Sequence, residues 1–227
     1  DTTSSPKDFL AYNYPDINRV VVKGEKTHRY SDYDYIVSLM SLPYIFKTTL
    51  AYIPEVPEFQ PHYNSLKINQ LPDFDIGIFW SGSAHHLNNK NRSIEDKTIR
   101  EFISSNPHYS FVSLQIDRAI PEAFDAREYM TDFSSTLQLL QKCRLVITVD
   151  SMIAHLAGSA KVPTYILHAY APDWRWLLDR DDSPWYPTVR NFRQKTMYNW
   201  GEVLQEVEKT TKQQIENNIK VDRWYEK

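Results

Sequence analysis

From residue 73 onward, short apolar runs alternate with polar loops and with segments whose apolar residues recur at helical spacing. The runs 75–80, 109–114, 145–149 and 164–167 are rich in Ile, Val, Leu and aromatic residues and predict buried strands. Between them, 93–104, 134–142 and 153–159 carry apolar residues on one helical face. This alternation predicts βαβ units on a parallel sheet. In such sheets ligands bind outside the C-terminal strand ends, so the loops after Trp80, Leu114, Val149 and Leu167 are where function is expected.

Upstream the pattern changes. The β-branched and aromatic runs 19–23 and 33–37 predict two strands separated by a polar turn over 24–28. The segment Ile53-Pro54-Glu55-Val56-Pro57-Glu58-Phe59-Gln60-Pro61 resists both helix and central strand and marks a boundary. The expected organisation is a partial α/β domain over residues 1–60, a linker over 61–72, and a larger α/β domain over 73–227 that ends in a surface helix over 200–225.

Composition narrows the partners. With 41% hydrophobic residues among 227, the chain can bury a core. A net charge of −3 lacks the cationic excess that binding a phosphate backbone requires, so nucleic acid is not an expected partner. The single Cys143 forms no internal disulfide, and no apolar run is long enough to span a bilayer. A soluble, cytoplasmic protein is expected. The polar start has neither Met nor a signal-peptide pattern and reads as a fragment or a processed form.

Three loops carry candidate chemistry. In Val149-Asp150-Ser151-Met152-Ile153-Ala154-His155 a strand runs into a helix, whose first-turn amides and dipole suit an anion such as a diphosphate. Ser151 caps that helix, and His155 lies one turn further on the same face. The alternative stays open that Asp150 and Ser151 are only a cap and His155 a satisfied interior histidine. The loop after Trp80 offers Ser81 and Gly82 for close backbone approach and Lys90 and Arg92 as cations. It lacks Walker spacing, and His85 and His86 have no carboxylate or cysteine at ligand spacing, so no metal is expected. The third stretch, 171–187, holds Trp174, Trp176 and Trp185 with Arg175 and Arg180, either a wall for a base or sugar or the anchor of a long loop. Trp174 and Arg175 are expected nearer the ligand and Trp185 nearer the core.

Taken in order, Trp80-Ser81-Gly82 with Asn91-Arg92-Ser93, Phe111-Val112-Ser113-Leu114-Gln115, Asp132-Phe133-Ser134-Ser135-Thr136, Ile147-Thr148-Val149-Asp150-Ser151, Ala154-His155-Leu156-Ala157-Gly158 and Pro172-Asp173-Trp174-Arg175-Trp176 form a series. Together with Ser183-Pro184-Trp185-Tyr186-Pro187, it resembles the catalytic region that follows tetratricopeptide repeats in many bacterial proteins. That region is similar to the heptosyltransferase-like family-9 glycosyltransferases and, more distantly, to O-GlcNAc transferase. The resemblance implies a Rossmann-like parallel sheet of a GT-B C-terminal domain, preceded by a partial N-terminal, acceptor-side domain. It implies metal-independent transfer of a sugar from a nucleoside-diphosphate-sugar to a glycan, lipid or protein acceptor, with no cofactor. It places the substrate on Ser81, Gly82, Lys90, Arg92, Gln115, Asp150, Ser151, His155, Trp174 and Arg175 and names no catalytic base. The rival expectation is a noncatalytic nucleotide-sugar-binding or scaffold module. A nucleotide-sugar epimerase is disfavoured by the lack of an acid and base pair.

Overall fold

The computed structural model of the chain describes residues 6–21 and 29–216. Helix α1 (Pro6–Asn13) opens it, followed by 3-10 turns at Tyr30–Asp32 and Leu39–Ser41, the short α2 (Leu42–Ile45) and α3 (Leu66–Asn69). The α/β body then runs β1 (Phe74–Phe79), α4 (Asn89–Arg92), α5 (Asp96–Ser104), β2 (Phe111–Ser113), β3 (Phe124–Asp125), α6 (Phe133–Gln141), β4 (Cys143–Val149), α7 (Met152–Ser159), β5 (Thr164–His168), a 3-10 turn at Trp174–Trp176, β6 (Val189–Arg193) and α8 (Trp200–Glu216).

All six strands are parallel, in the order β3-β2-β1-β4-β5-β6. The chain builds outward from β1 in one direction, then returns to place β4 on its other side. This is a Rossmann-like, doubly wound sheet whose order reverses between β1 and β4. The near-continuous apolar sequences of β1 and β4 follow from this position, because helices cover both faces. On one face Ile76, Ile78, Leu145, Ile147, Val149 and Leu167 meet Ile99, Phe102 and Ile103 of α5 and Val203, Leu204 and Val207 of α8. On the other, Val112, Leu114 and Val146 meet α6 and α7. Gly77 permits the central pairing: a Cβ there would sit 2.8 Å from Cys143 Sγ and 3.1 Å from Leu114 Cδ1. Helix α6 starts at a reciprocal cap in which the Ser135 amide donates to Asp132 Oδ1 and Ser135 Oγ accepts from the Asp132 amide.

The strands expected over 75–80, 109–114, 145–149 and 164–167 and the three helices between them are present with shifted ends. Two further strands, β3 and β6, and the short helix α4 were not expected. Over 93–104 the helix starts only at Asp96. The body therefore has the expected α/β class.

The upstream strands are a correction. Tyr33, Tyr35, Ile36 and Val37 are irregular and exposed, with Tyr35 at 93%. Val20 and Val21 form no strand, and the remainder of the 19–23 expectation and the turn over 24–28 fall largely outside the described residues. The physical reason is pairing: no neighbouring strand among the described residues supplies a ladder or a buried face, without which a strand has little stability. Among described residues before 61 only Phe9 is buried, and it joins the core of the larger body beside Phe59 and Phe133. The Phe59 amide donates to the Ser159 carbonyl at 2.9 Å, so the proline-rich segment also lies against the body.

Candidate functional site

At the reversal point, the loop after β1 and the start of α7 after β4 meet. Arg92, the last residue of α4, donates from Nη1 to the Asp150 carbonyl at 2.9 Å. Its guanidinium lies directly on Gly82: a Cβ at that position would be 2.4 Å from Nη2 and 2.7 Å from Cζ. The loop is tied down behind it. Ser93 Oγ accepts from the Gly82 amide and from Ser81 Oγ, each at 3.3 Å, and donates to Asn89 Oδ1 at 3.0 Å. Arg92 Nε is buried with no partner.

Ser151 holds an extended conformation ahead of α7, and its Oγ is 3.1 Å from Thr148 Oγ1, without capping the helix by its side chain. Of the first-turn amides of α7, that of Ala154 donates to the Ser151 carbonyl at 3.1 Å, which leaves those of Met152 and Ile153 without a cap from the Ser151 side chain. A cleft of ≈ 120 Å³ opens here, bordered by His86, Asn88, Arg92, Asp150, His168 and Asp173. A smaller recess of ≈ 80 Å³ adjoins it through Asn88, Ala169 and Ala171 and reaches Gln194 and Tyr198. These volumes hold a phosphate and a few further groups, not a whole drug-sized ligand, for which about 300 Å³ or more is usual.

The remaining expected site residues fall in different places. Ser81 and Gln115 are buried partners: Gln115 Nε2 donates to the Ser81 carbonyl at 2.9 Å and to Asp117 Oδ1 at 2.8 Å, while Oε1 accepts from the Ser81 amide at 3.3 Å. Gln115 thus stitches the β1 and β2 loops together. Lys90 is exposed on α4, beside the cleft but not among its bordering residues. Trp174 is 63% exposed with the Arg175 guanidinium over its ring at 4.9 Å, and Arg175 Nη1 donates to Asp173 Oδ1 at 2.8 Å. Burial acts to raise the Asp173 carboxyl, but hydrogen bonds from the Arg175 amide and guanidinium outweigh it and hold the group below the ordinary carboxylate range. His155 stacks on Trp176 at 5.2 Å and pairs through Nδ1 with Tyr186 Oη at 3.0 Å. Burial lowers its imidazole pKa. Trp176, not Trp185, is the buried tryptophan of the long loop, and Trp185 Nε1 donates to the Arg175 carbonyl.

Sequence reasoning missed His168 and Gln194, at the ends of β5 and β6. His168 is 1% exposed; its Nε2 is 2.8 Å from Asn191 Oδ1 and its Nδ1 has no partner. Burial pushes its imidazole down to about 3. The signal available was its position at a C-terminal strand end, where a polar residue following Tyr165-Ile166-Leu167 interrupts an apolar run.

A larger cavity, ≈ 490 Å³, lies elsewhere, between residues 50–56 and the segment leading into β6. It opens beside Gly158 and Lys161 at the C-terminal end of α7, the opposite end of the sheet from the crevice. Its cations are already paired, Lys161 with Glu58 and Arg180 with Asp182. The smaller cleft has the unpaired polar atoms and the topological position, and these outweigh volume in assigning the site. Among the described residues no helix is long and apolar enough to cross a membrane, and no group of His, Cys, Asp or Glu is placed to hold a metal ion. No protein-family model, curated protein or solved structure matches the chain.

Proposed function

We propose that the chain is the nucleoside-diphosphate-sugar-binding part of a metal-independent GT-B glycosyltransferase, with the diphosphate at the reversal point between β1 and β4. The observation that carries this reading is the Arg92 guanidinium laid across Gly82 and bonded to the Asp150 carbonyl, which brings a cation to the start of α7. When the bond from the sugar carbon to the diphosphate oxygen breaks, negative charge builds on the departing diphosphate. A fixed guanidinium and the helix amides stabilise that charge in the transition state, as a divalent ion does in other enzymes. Lys90 is two residues before Arg92 on α4 and does not border the cleft, so Arg92 is the cation of this reading. Asp173 borders the cleft and is held by Arg175, whose guanidinium lies over the exposed Trp174 ring, a pair that suits the donor sugar or base.

The experiment is calorimetric titration with UDP, ADP and GDP in EDTA and in magnesium, on wild-type and Arg92→Ala protein. Metal-independent binding weakened by the substitution supports the reading. Binding that strictly requires the metal counts against it. A second reading, a noncatalytic nucleotide-sugar-binding module, is favoured by one observation: the described residues before 61 build no acceptor-side sheet. Hydrolysis or transfer of a bound nucleotide sugar supports the enzyme, and binding without turnover supports the module.

A further inference from the structure

Three of the residues that border the crevice and its recess each carry a buried polar atom without a partner: Arg92 Nε, His168 Nδ1 and Gln194 Nε2. Native interiors leave few such atoms, and a group of them at one place calls for a partner from outside the chain. The roles of two are fixed by their neighbours. Asn191 Nδ2 donates to the Asp182 carbonyl at 2.7 Å, so Oδ1 is the atom facing His168. Nε2 of His168 must therefore carry the proton, which leaves Nδ1 as a bare acceptor. Burial keeps the ring neutral, so this holds across the working pH range. Gln194 Oε1 accepts from the Tyr170 and Tyr198 amides, each at 3.1 Å, which turns Nε2 out as a spare donor. The two residues are linked by the Gln194 amide donating to the His168 carbonyl at 3.1 Å.

His168 on the crevice and Gln194 on the adjoining recess thus each carry a spare group, an acceptor and a donor, in the same pair of cavities that Arg92 borders. A bare anion satisfies Arg92 but cannot donate to Nδ1. A hydroxyl can donate to His168 and can accept from Gln194. We propose that His168 and Gln194 form a hydroxyl-recognition subsite, so that the crevice takes a phosphorylated polyol, the ribose or the sugar of a nucleotide sugar, in preference to a plain phosphate. The proposal rests on the diphosphate reading of the same site.

The test is nitrogen-15 NMR of the whole chain. It follows the Met152 and Ile153 amides as reporters of the anion, and His168 Nδ1 with the Gln194 side-chain amide as reporters of the hydroxyl. The probes are pyrophosphate, then UDP, ADP and GDP with their 2′,3′-dideoxy analogues, then UDP-glucose, ADP-glucose and GDP-mannose. Pyrophosphate is expected to move only the anion reporters. A hydroxyl-bearing ligand is expected to move His168 Nδ1 upfield and to shift the Gln194 amide. A response to nucleoside diphosphates that is lost with the dideoxy analogues assigns the ribose, and a response only to the conjugates assigns the sugar. Ligands that move the helix amides but leave His168 and Gln194 unchanged overturn this proposal alone, as does a full response to a dideoxy analogue, which assigns the base edge. No response at any reporter overturns the diphosphate reading and this proposal with it. As a second measurement, His168→Phe is expected to weaken a responding ligand about tenfold while leaving pyrophosphate unchanged, the usual loss for one hydrogen bond. Equal weakening of both contradicts the subsite.

Discussion

Replacing Gly82 with Ala perturbs the crevice at one atom. The new Cβ would lie 2.4 Å from Arg92 Nη2, 2.7 Å from Cζ and 3.0 Å from Nε, too close for any of them to stay. The neighbour is the far end of a flexible side chain, so the guanidinium swings away and the β1 loop keeps its path. The fold loses the Arg92 to Asp150 bond, worth about 1 kcal/mol. An anion held by that guanidinium loses more, about 1.5–3 kcal/mol for a hydrogen bond to a charged group, or roughly 10- to 150-fold in affinity. Calorimetry with a nucleoside diphosphate measures the affinity, and the melting temperature measures the fold. The decisive form is a double-mutant cycle. In an Arg92→Ala background the added methyl has nothing to displace, so Gly82→Ala is expected to cost almost nothing further. Equal losses in both backgrounds, or unchanged binding in Gly82→Ala, refute the placement of Arg92 on the ligand.

His155→Ala is expected to lower the melting temperature and to weaken nucleoside and nucleoside diphosphate alike, because Nδ1 is spent on Tyr186 and the ring on Trp176; a loss confined to the diphosphate would put the ring on the phosphate instead. His168 stays neutral in the fold down to about pH 3, whereas it protonates near 6.5 in the unfolded chain. Its contribution to stability is therefore complete above pH 6.5 and falls by about 1.4 kcal/mol per pH unit below that until pH nears 3. Denaturant titrations from pH 7 to 4 should show a shallower pH dependence in His168→Phe than in wild type, and parallel curves would refute the buried neutral histidine. Gly77→Ala drives a methyl against Cys143 Sγ at 2.8 Å between the central strands, and is expected to destabilise by about 1–3 kcal/mol in denaturant unfolding; a neutral effect would contradict the close β1 to β4 packing.

The parts of the fold legible in the sequence were those fixed by continuous burial. Strands β1, β4 and β5 are covered on both faces, so Ile76-Gly77-Ile78, Leu145-Val146-Ile147 and Tyr165-Ile166-Leu167 read plainly as apolar runs. Strand β6 escaped because its Val189 and Phe192 are interleaved with Arg190, Asn191 and Arg193, and β3 is only Phe124–Asp125. The runs around Val20 and Ile36 have strand-like composition, but composition alone supplies no pairing partner. At the site, the junction of the Arg92 loop with the start of α7 followed from strand adjacency. The burial of Gln115 and the pairing of His155 with Tyr186 did not, because residue 186 lies 31 positions further along the chain and only the folded β6 segment brings it there. His168 was hidden for a related reason. Its tautomer is set by Asn191, a residue of the strand that the sequence did not reveal.

The crevice at the β1 and β4 strand ends, and not the larger cavity beside Lys161, is the proposed seat of a nucleoside diphosphate. Titration calorimetry in EDTA with the tightest of UDP, ADP and GDP, on wild type, Arg92→Ala and Lys161→Ala, tests it directly. Binding is expected without a divalent ion, at least about tenfold weaker in Arg92→Ala and unchanged in Lys161→Ala. The opposite pattern, binding lost with Lys161→Ala and retained with Arg92→Ala, would place the ligand at the other end of the sheet and refute the assignment of the crevice.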